Sequence, residues 1–220
     1  TVTARIETPL ASEDPQALTE TLGGDPDLVL VTTKVDALPH LASALRVLTG
    51  PDTGVVSTQN GISAPELLAD ALGKEHVLPG VARVYSAITS PGEVRTIGNA
   101  GSLALGEWDG SATARCAAAV QALEAAGIRA WTPDSIWAEL WRKVSFVVVQ
   151  GSLGAATNTP IGVLRSDLRD SFTRAVSEVV AVAAALGHDL ATHDAPDPVA
   201  AALRMADAQP AGATTSMQRD

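Results

Sequence analysis

The run Asp27-Leu-Val-Leu-Val-Thr-Thr33 decides the fold class of this chain. It is apolar over the length of a strand without alternating with polar residues, which is typical of a parallel strand buried on both faces. Lys34 follows it directly, residues 35–48 have helical periodicity, and Gly54-Val-Val-Ser-Thr58 is a second run of the same kind. This order of strand, helix and strand predicts an α/β fold built on a doubly wound parallel sheet.

The segments on either side of these strands extend the same pattern. A further strand is predicted for residues 1–6, and Ser90-Pro-Gly-Glu93 is predicted to be a turn. The other predicted segments are a helix within 8–23, a helix over 64–72, a strand region over 77–88, an antiparallel hairpin or meander of 94–97 with 102–105, a helix over 111–126 and a strand over 128–131. The α/β domain is therefore expected to end near residue 131.

Thr132-Pro133-Asp134 is the predicted domain boundary, which divides the chain into residues 1–133 and 134–220. Only helical patterns follow it. The predicted helices cover about 134–156, a short segment from 158, 167–186 and 198–208. The predicted architecture is thus a partial doubly wound (Rossmann-like) sheet followed by an all-helical C-terminal domain.

Composition limits the classes of partner. The net charge of the 220 residues is −10 and no basic cluster is present, which argues against nucleic-acid binding and against anionic membrane surfaces. The apolar run around 146–149 is far shorter than the roughly 20 residues that a membrane span needs. The single cysteine, Cys116, excludes an internal disulfide, is expected to be a small core residue, and fits a reducing cytoplasm.

Three polar side chains are candidates for a functional site. Lys34 and Asn60 follow two successive predicted strands, and ligands of such sheets bind outside the carboxyl ends of the strands. Lys143 lies in a predicted helix that is apolar on most sides, where an unpaired ammonium is costly to bury. Each also has a structural interpretation: Lys34 as a solvated residue, Asn60 as part of a tight turn, and Lys143 as a side chain that reaches solvent along its stem.

Two other kinds of site are not supported by the sequence. His188 and His193 follow a helix-ending glycine in a polar loop, and their spacing matches no metal-binding template. Ser57, Ser86 and Ser145 have no histidine in a nucleophile-elbow context, so acyl transfer has no support.

The ordered combination of motifs resembles the ketopantoate reductase (2-dehydropantoate 2-reductase) family over essentially the whole chain. The motifs are Asp27-Leu-Val-Leu-Val-Thr-Thr-Lys34, Gln59-Asn60-Gly61, Leu140-Trp-Arg-Lys143, Pro160-Ile-Gly-Val-Leu-Arg-Ser166 and Thr215-Ser216-Met217-Gln-Arg-Asp220. The resemblance implies NADPH-dependent reduction of a 2-keto acid to the 2-hydroxy acid in a cleft between two domains, the first of which binds the dinucleotide.

The resemblance also implies roles for particular residues. Lys143 resembles the family's catalytic lysine, which donates a proton to the carbonyl, and Asn60 resembles its asparagine beside nicotinamide and substrate. Lys34 resembles its strand-end lysine near cofactor and substrate. Ser86 is assigned to the cofactor, and Ser216 and Gln150 are assigned to the substrate. An ammonium suits this chemistry because hydride delivery builds negative charge on the carbonyl oxygen.

The sequence departs from the family pattern in three places. The glycine-rich phosphate loop expected before Thr1 is absent, and the sequence stops at Asp220, before an expected glutamate; it is therefore expected to be a piece of a longer chain. Val147 and Gly151 stand one and two turns beyond Lys143, where the family has substrate-binding asparagines. A keto acid bulkier or less polar than ketopantoate is therefore an alternative substrate.

Two further expectations concern activity and assembly. The alternative to an enzyme is a non-catalytic nucleotide-binding or assembly protein that kept the reductase fold. A homodimer through the helical domain is predicted, because the apolar residues of 172–186 exceed one core-facing stripe; burial of that helix within its own domain is the alternative.

Overall fold

The computed structural model describes residues 10–96 and 101–219, and for Arg219 the backbone only. The predicted strand over residues 1–6 lies outside the described residues. The described strands are β1 (Leu28–Val31), β2 (Gly54–Ser57), β3 (Val77–Leu78), β4 (Gly80–Arg83), β5 (Ser86–Ser90), β6 (Glu93–Thr96), β7 (Ser102–Leu105) and β8 (Arg129–Trp131). The described helices are α1 (Pro15–Leu22), α2 (Leu38–Val47), α3 (Ala64–Leu72), α4 (Ala114–Ala125), α5 (Ile136–Thr157), α6 (Ile161–Leu164), α7 (Arg169–Ala185), α8 (Pro198–Ala208) and α9 (Ser216–Arg219).

The first three strands form a parallel sheet in the order β1-β2-β3, and β4-β7-β8 form a second, mixed sheet. Every residue of β2 is buried, and its two valines face opposite sides. Val55 packs with Leu38, Leu45 and Leu68 of α2 and α3. Val56 packs instead with the cluster that contains Cys116, Ala119 and Leu123 of α4. Helices therefore cover both faces, and the predicted α/β fold with a helical C-terminal domain is confirmed.

The predicted hairpin of 94–97 with 102–105 is wrong. β6 pairs with β5 through the turn at Pro91-Gly92, where Gly92 has a φ of 80°. β7 pairs antiparallel with β4 and parallel with β8. Both strands of the β5–β6 hairpin are exposed along their length, so the local turn rather than burial determines their pairing.

α5 connects the two parts of the molecule. The Ser135 side chain caps its first turn by accepting from the Ala138 N–H at 3.2 Å, as Ser commonly does at a helix start. Near its beginning, Ile136 and Leu140 pack on Val81 and Ala104 of the mixed sheet. Further along, Phe146 and Val149 enter the helical core beside α6, α7 and α8. Lys143 lies where α5 passes from one core to the other.

Within the described residues, no helix combines the length and apolar character needed to cross a bilayer.

Candidate functional site

Lys143 reaches from α5 to the edge of the parallel sheet. Its Nζ donates to Asn60 Oδ1 at 2.7 Å and to the Ala82 carbonyl oxygen at 2.5 Å. Asn60 is itself exposed, in the loop after β2, and Ala82 lies in β4. Two of the three side chains singled out from the sequence therefore meet at one contact between the helical part and the α/β part.

The environment of Lys143 lowers the pKa of its ammonium to about 8 from the ordinary value of 10.5. Burial is the main cause, because the charged form loses hydration there. The positive charge of Arg83 is the second cause. An amine with this pKa holds its proton at neutral pH and can release it readily to an acceptor.

Lys34 follows β1 at the same edge of the sheet, where it is exposed and precedes the 3-10 turn Val35–Ala37. The buried side chain of Gln59 fixes the relation between the two strand ends. Its Nε2 donates to the carbonyl oxygens of Val31 at 2.8 Å and Thr33 at 3.0 Å. In the sequence, the amide of Gln59 directly after a buried strand is the signal for this role.

The residues after Gln59 leave room at the sheet edge. Gly61 has a φ of 99°, and among the described residues other than its two chain neighbours no atom lies within 4 Å of the position that a Cβ would take. The exposed Asn60, which accepts from the Lys143 ammonium, therefore stands beside open space at Gly61, at the carboxyl end of β2. This edge is where flat polar ligands bind to sheets of this type.

Gln150 and Gly151 lie on the same side of α5 as Lys143, two turns further along. Gln150 is 6% exposed. Gly151 lies under α9: a Cβ there would be 3.4 Å from Met217 Sδ. The wall beyond Lys143 thus consists of the half-buried Val147, the largely buried residue Gln150 and the thioether of Met217.

Ser216 and Ser86 are placed less centrally. Ser216 is exposed and begins α9, which packs on α5. Ser86 is exposed at the start of the β5–β6 hairpin, and the described residues give it no side-chain hydrogen bond to Lys143 or Asn60. Their roles in binding stay predictions.

Two residues of the site were missed from the sequence. Arg83, at the end of β4, forms an ion pair with Glu139 of α5, with Nη2 and Oε2 2.6 Å apart. Glu139 precedes Lys143 by four residues, a spacing that places both on one helix face. That spacing was visible in the sequence, but the position of Arg83 depends on how β4 packs against α5.

Two family models match the chain. Ketopantoate reductase PanE/ApbA matches residues 3–110, and ketopantoate reductase PanE/ApbA C terminal matches residues 135–220. The 2-dehydropantoate 2-reductase of Halobacterium salinarum is 31% identical over 157 residues, which are 70% of this chain and 48% of that protein. The uncharacterized oxidoreductase YkpB of Bacillus subtilis is 24% identical over 151 residues, which are 69% and 50%. The chain thus spans about half the length of these relatives.

Solved structures have the same fold. The crystal structure of 2-dehydropantoate 2-reductase from Geobacter metallireducens superposes with a TM-score of 0.82 at 28% identity, covering 95% of this chain and 67% of that one. The complex of D-mandelate dehydrogenase with NADH superposes at 0.75 with 24% identity, covering 88% and 65%, which shows the likeness of fold alone. With both of its parts matched by family models, the chain belongs to the ketopantoate reductase PanE/ApbA family.

Proposed function

We propose that this chain is the catalytic part of an NADPH-dependent reductase that converts a 2-keto acid to the 2-hydroxy acid, with Lys143 as proton donor. The observation that carries the proposal is the Lys143–Asn60 contact of 2.7 Å at the edge of the sheet. It places a buried ammonium, with a pKa lowered to about 8, beside an exposed carboxamide. Membership of the reductase family supports the same chemistry.

The residues at the sheet edge fit the nicotinamide end of a dinucleotide. Gly61 leaves open space there, and the exposed Asn60 has a donor and an acceptor for a ring carboxamide. Lys34 and Ser86 are the other cofactor contacts of the proposal. A reduced nicotinamide dinucleotide, when bound, supplies the hydride.

The chain's own residues carry the rest of the reaction. As the carbonyl carbon gains hydride, negative charge grows on the carbonyl oxygen, and the Lys143 ammonium stabilises that charge and gives its proton to the oxygen. The alcohol product leaves Lys143 neutral, and solvent restores its proton. Asn60 holds the ammonium through its Oδ1, which limits the directions in which Nζ donates.

The substrate class follows from the wall beyond Lys143. Lys34, Gln150 and Ser216 are the proposed polar contacts, while Val147 and Met217 offer apolar ones. A 2-keto acid with an aliphatic or aromatic side chain satisfies this wall better than one with a hydroxyl, because an unpaired hydroxyl costs free energy when buried. 2-Dehydropantoate itself is the reference substrate of the proposal.

The test is an NADPH oxidation assay with the full-length protein and a panel of 2-keto acids that includes 2-dehydropantoate, 2-ketoisovalerate and phenylpyruvate. Lys143→Ala should lose a factor on the order of 10² or more in kcat, as expected for a missing general acid. Lys74→Ala is the matched control, because Lys74 lies over the Trp108 ring, outside the proposed site, and should keep its rate. Measurable NADPH binding without turnover of any keto acid would instead favour the non-catalytic alternative.

The pH dependence gives a second readout of the same assay. The protonated lysine is the active form in reduction, so kcat/KM should fall as the pH rises through about 8. Oxidation of the 2-hydroxy acid needs the neutral amine and should rise through the same pH. A reduction rate that stays constant up to pH 9.5 would remove Lys143 from the role of proton donor.

A further inference from the structure

Glu139 and Lys143 are four residues apart on α5, in the order and spacing that ordinarily favour an ion pair on a helix. None of the ion pairs among the described residues joins them. The Glu139 carboxylate lies 2.6 Å from Arg83 Nη2 and 3.7 Å from Arg142 Nη1. Lys143 instead donates to Asn60 and to the Ala82 carbonyl. The closer partner of Glu139 is therefore Arg83, a residue of the sheet.

The fold holds Arg83 firmly at this point. It is the last residue of β4, paired in register with Ser102 of β7, and directly follows the residue whose carbonyl accepts from Lys143. Its guanidinium carbon is 5.7 Å from the centroid of the Trp131 ring. Its Nη1 is buried without a hydrogen-bond partner in the described residues. Such an unpaired donor is costly, so an arrangement that keeps it points to a function.

We propose that Arg83 is a positioning residue for the proposed proton donor: it holds the Glu139 carboxylate away from Lys143, so that the ammonium is directed at Asn60 and the open edge of the sheet. This inference rests on the proposed function, in which Lys143 gives a proton to the substrate. If Glu139 paired with Lys143 instead, the ammonium would be turned toward its own helix. A bound carboxylate would also make it a weaker acid.

The charged groups that face Lys143 determine the direction of each test. They are Arg83 from β4, whose charge acts on Lys143, and Glu139, four residues away on α5. Arg142 of α5 lies 3.7 Å from Glu139 and donates to the Leu190 and Ala191 carbonyls, and the loop after β2 contributes the neutral Asn60. Removing Arg83 takes away a neighbouring positive charge and frees Glu139, and both changes raise the pKa of Lys143. Removing Glu139 leaves Arg83 without its counter-charge, which lowers that pKa further. The two variants therefore act in opposite directions, which loosened packing alone would not produce.

The experiment measures this pKa without using activity. Protein labelled with [ε-¹³C]lysine gives one signal for each lysine, and the signal of Lys143 is assigned by its loss in Lys143→Met. Titration from pH 6 to 11 should show that Arg83→Gln raises the pKa by at least one unit and Glu139→Gln lowers it. Arg83→Lys keeps the charge and should keep most of the wild-type value. Arg169→Gln removes an exposed ion pair with Asp207 and is the control that should change nothing.

An unchanged pKa in Arg83→Gln, or shifts of both variants in the same direction, would overturn the inference. If Arg83→Gln does not fold, Glu139→Gln and Arg83→Lys still decide it. In the reduction assay, the pH at which the rate of Arg83→Gln begins to fall should rise by the same amount as the pKa of Lys143. Above the wild-type pKa, each unit of this rise leaves about tenfold more Lys143 protonated than in the wild type. If the protein reduces a keto acid but the variants leave the pKa of Lys143 unchanged, this inference is refuted and the proposed function is not. The expected pKa changes in a protein that reduces no keto acid would refute the proposed function alone.

Discussion

The buried ammonium of Lys143, the proposed proton donor, lowers the stability of the folded protein. Its pKa is about 8 in the folded protein and 10.5 ordinarily, so folding disfavours the charged form. Between pH 8 and pH 10.5 the unfolded chain binds more protons than the folded one, so the free energy of unfolding rises with pH in this range. The loss of stability caused by Lys143 is therefore complete below pH 8 and absent above pH 10.5. Lys143→Met should therefore raise the free energy of unfolding at pH 7 by about 3 kcal/mol, which urea denaturation measures.

The control for this prediction is Lys74→Met, which removes an exposed lysine and should not stabilise the protein. The advantage of Lys143→Met over wild type should also shrink between pH 8 and pH 10.5. An advantage that is equal at both ends of this range would show that packing of the methionine, rather than removal of the charge, causes it.

At this scale the sequence identified both residues of the central contact, Lys143 and Asn60, but not the residues around it. Lys143 was recognisable because an ammonium in an apolar helix is unusual, and Asn60 because it follows a buried strand. Arg83 gave no such signal: it is one of twelve arginines, and its role depends on the register of β4 with β7 and on the packing of α5 against them. Neither is encoded in the residues next to Arg83.

At the scale of elements, α9 packs across two glycines of α5, Gly151 and Gly154. A Cβ at Gly154 would come within 2.8 Å of the Gln218 amide, whereas one at Gly151 would be 3.4 Å from Met217 Sδ. The Gln218 amide accepts from the Thr215 N–H at 3.0 Å and donates to the Thr159 carbonyl at 2.9 Å. The two glycines therefore predict different responses to the same substitution.

Gly154→Ala should displace the Gln218 side chain and loosen residues 215–218, including Ser216, from α5. Losing two hydrogen bonds of about 0.5–1.5 kcal/mol each should speed amide exchange in this segment by about tenfold or more. Gly151→Ala is the matched control: it makes an ordinary contact, and its exchange rates should match wild type. Hydrogen exchange followed by mass spectrometry reads both variants, and equal rates in the 215–218 segment would contradict the prediction.

The elements that the sequence predicted well are those with a clear apolar pattern. β1, β2, α5 and α8 were identified within a few residues, because burial on one or both faces imposes an apolar run or a helical period on the sequence. The turn at 90–93 and the strand that follows it were predicted, but that strand was paired with the wrong partner, because the residues of β5 and β6 are exposed and carry no such pattern. The sequence has glycines on both sides of residue 95, and local turn preferences do not decide which of them forms the hairpin turn.

Contacts across the two parts of the molecule continue beyond Lys143. The ring centroid of Trp137 of α5 lies 5.4 Å from that of Trp108, which follows β7. It lies 6.1 Å from the ring centroid of His188, which follows α7. Arg142 Nε donates to the Leu190 carbonyl at 2.9 Å. Such aromatic and charged contacts bind α5 to both sides, which fixes the distance between Lys143 and the sheet edge. The predicted division at residue 133 stays a prediction, since α5 packs into both cores.

The exposed apolar face of α7 supports the predicted homodimer through the helical domain. Val182 is 50% and Leu186 61% exposed, one helical turn apart, whereas Phe172 and Val176 are fully buried in the helical core. If this face is an interface, Leu186→Glu should place a charge in it and shift the full-length protein to monomer in sedimentation velocity at micromolar concentration. Ile88→Glu is the matched control, because Ile88 is 79% exposed on the β5–β6 hairpin and should leave the assembly unchanged. A wild-type protein that sediments as a monomer throughout this range would refute the dimer, and a dimer that survives Leu186→Glu would place the interface elsewhere.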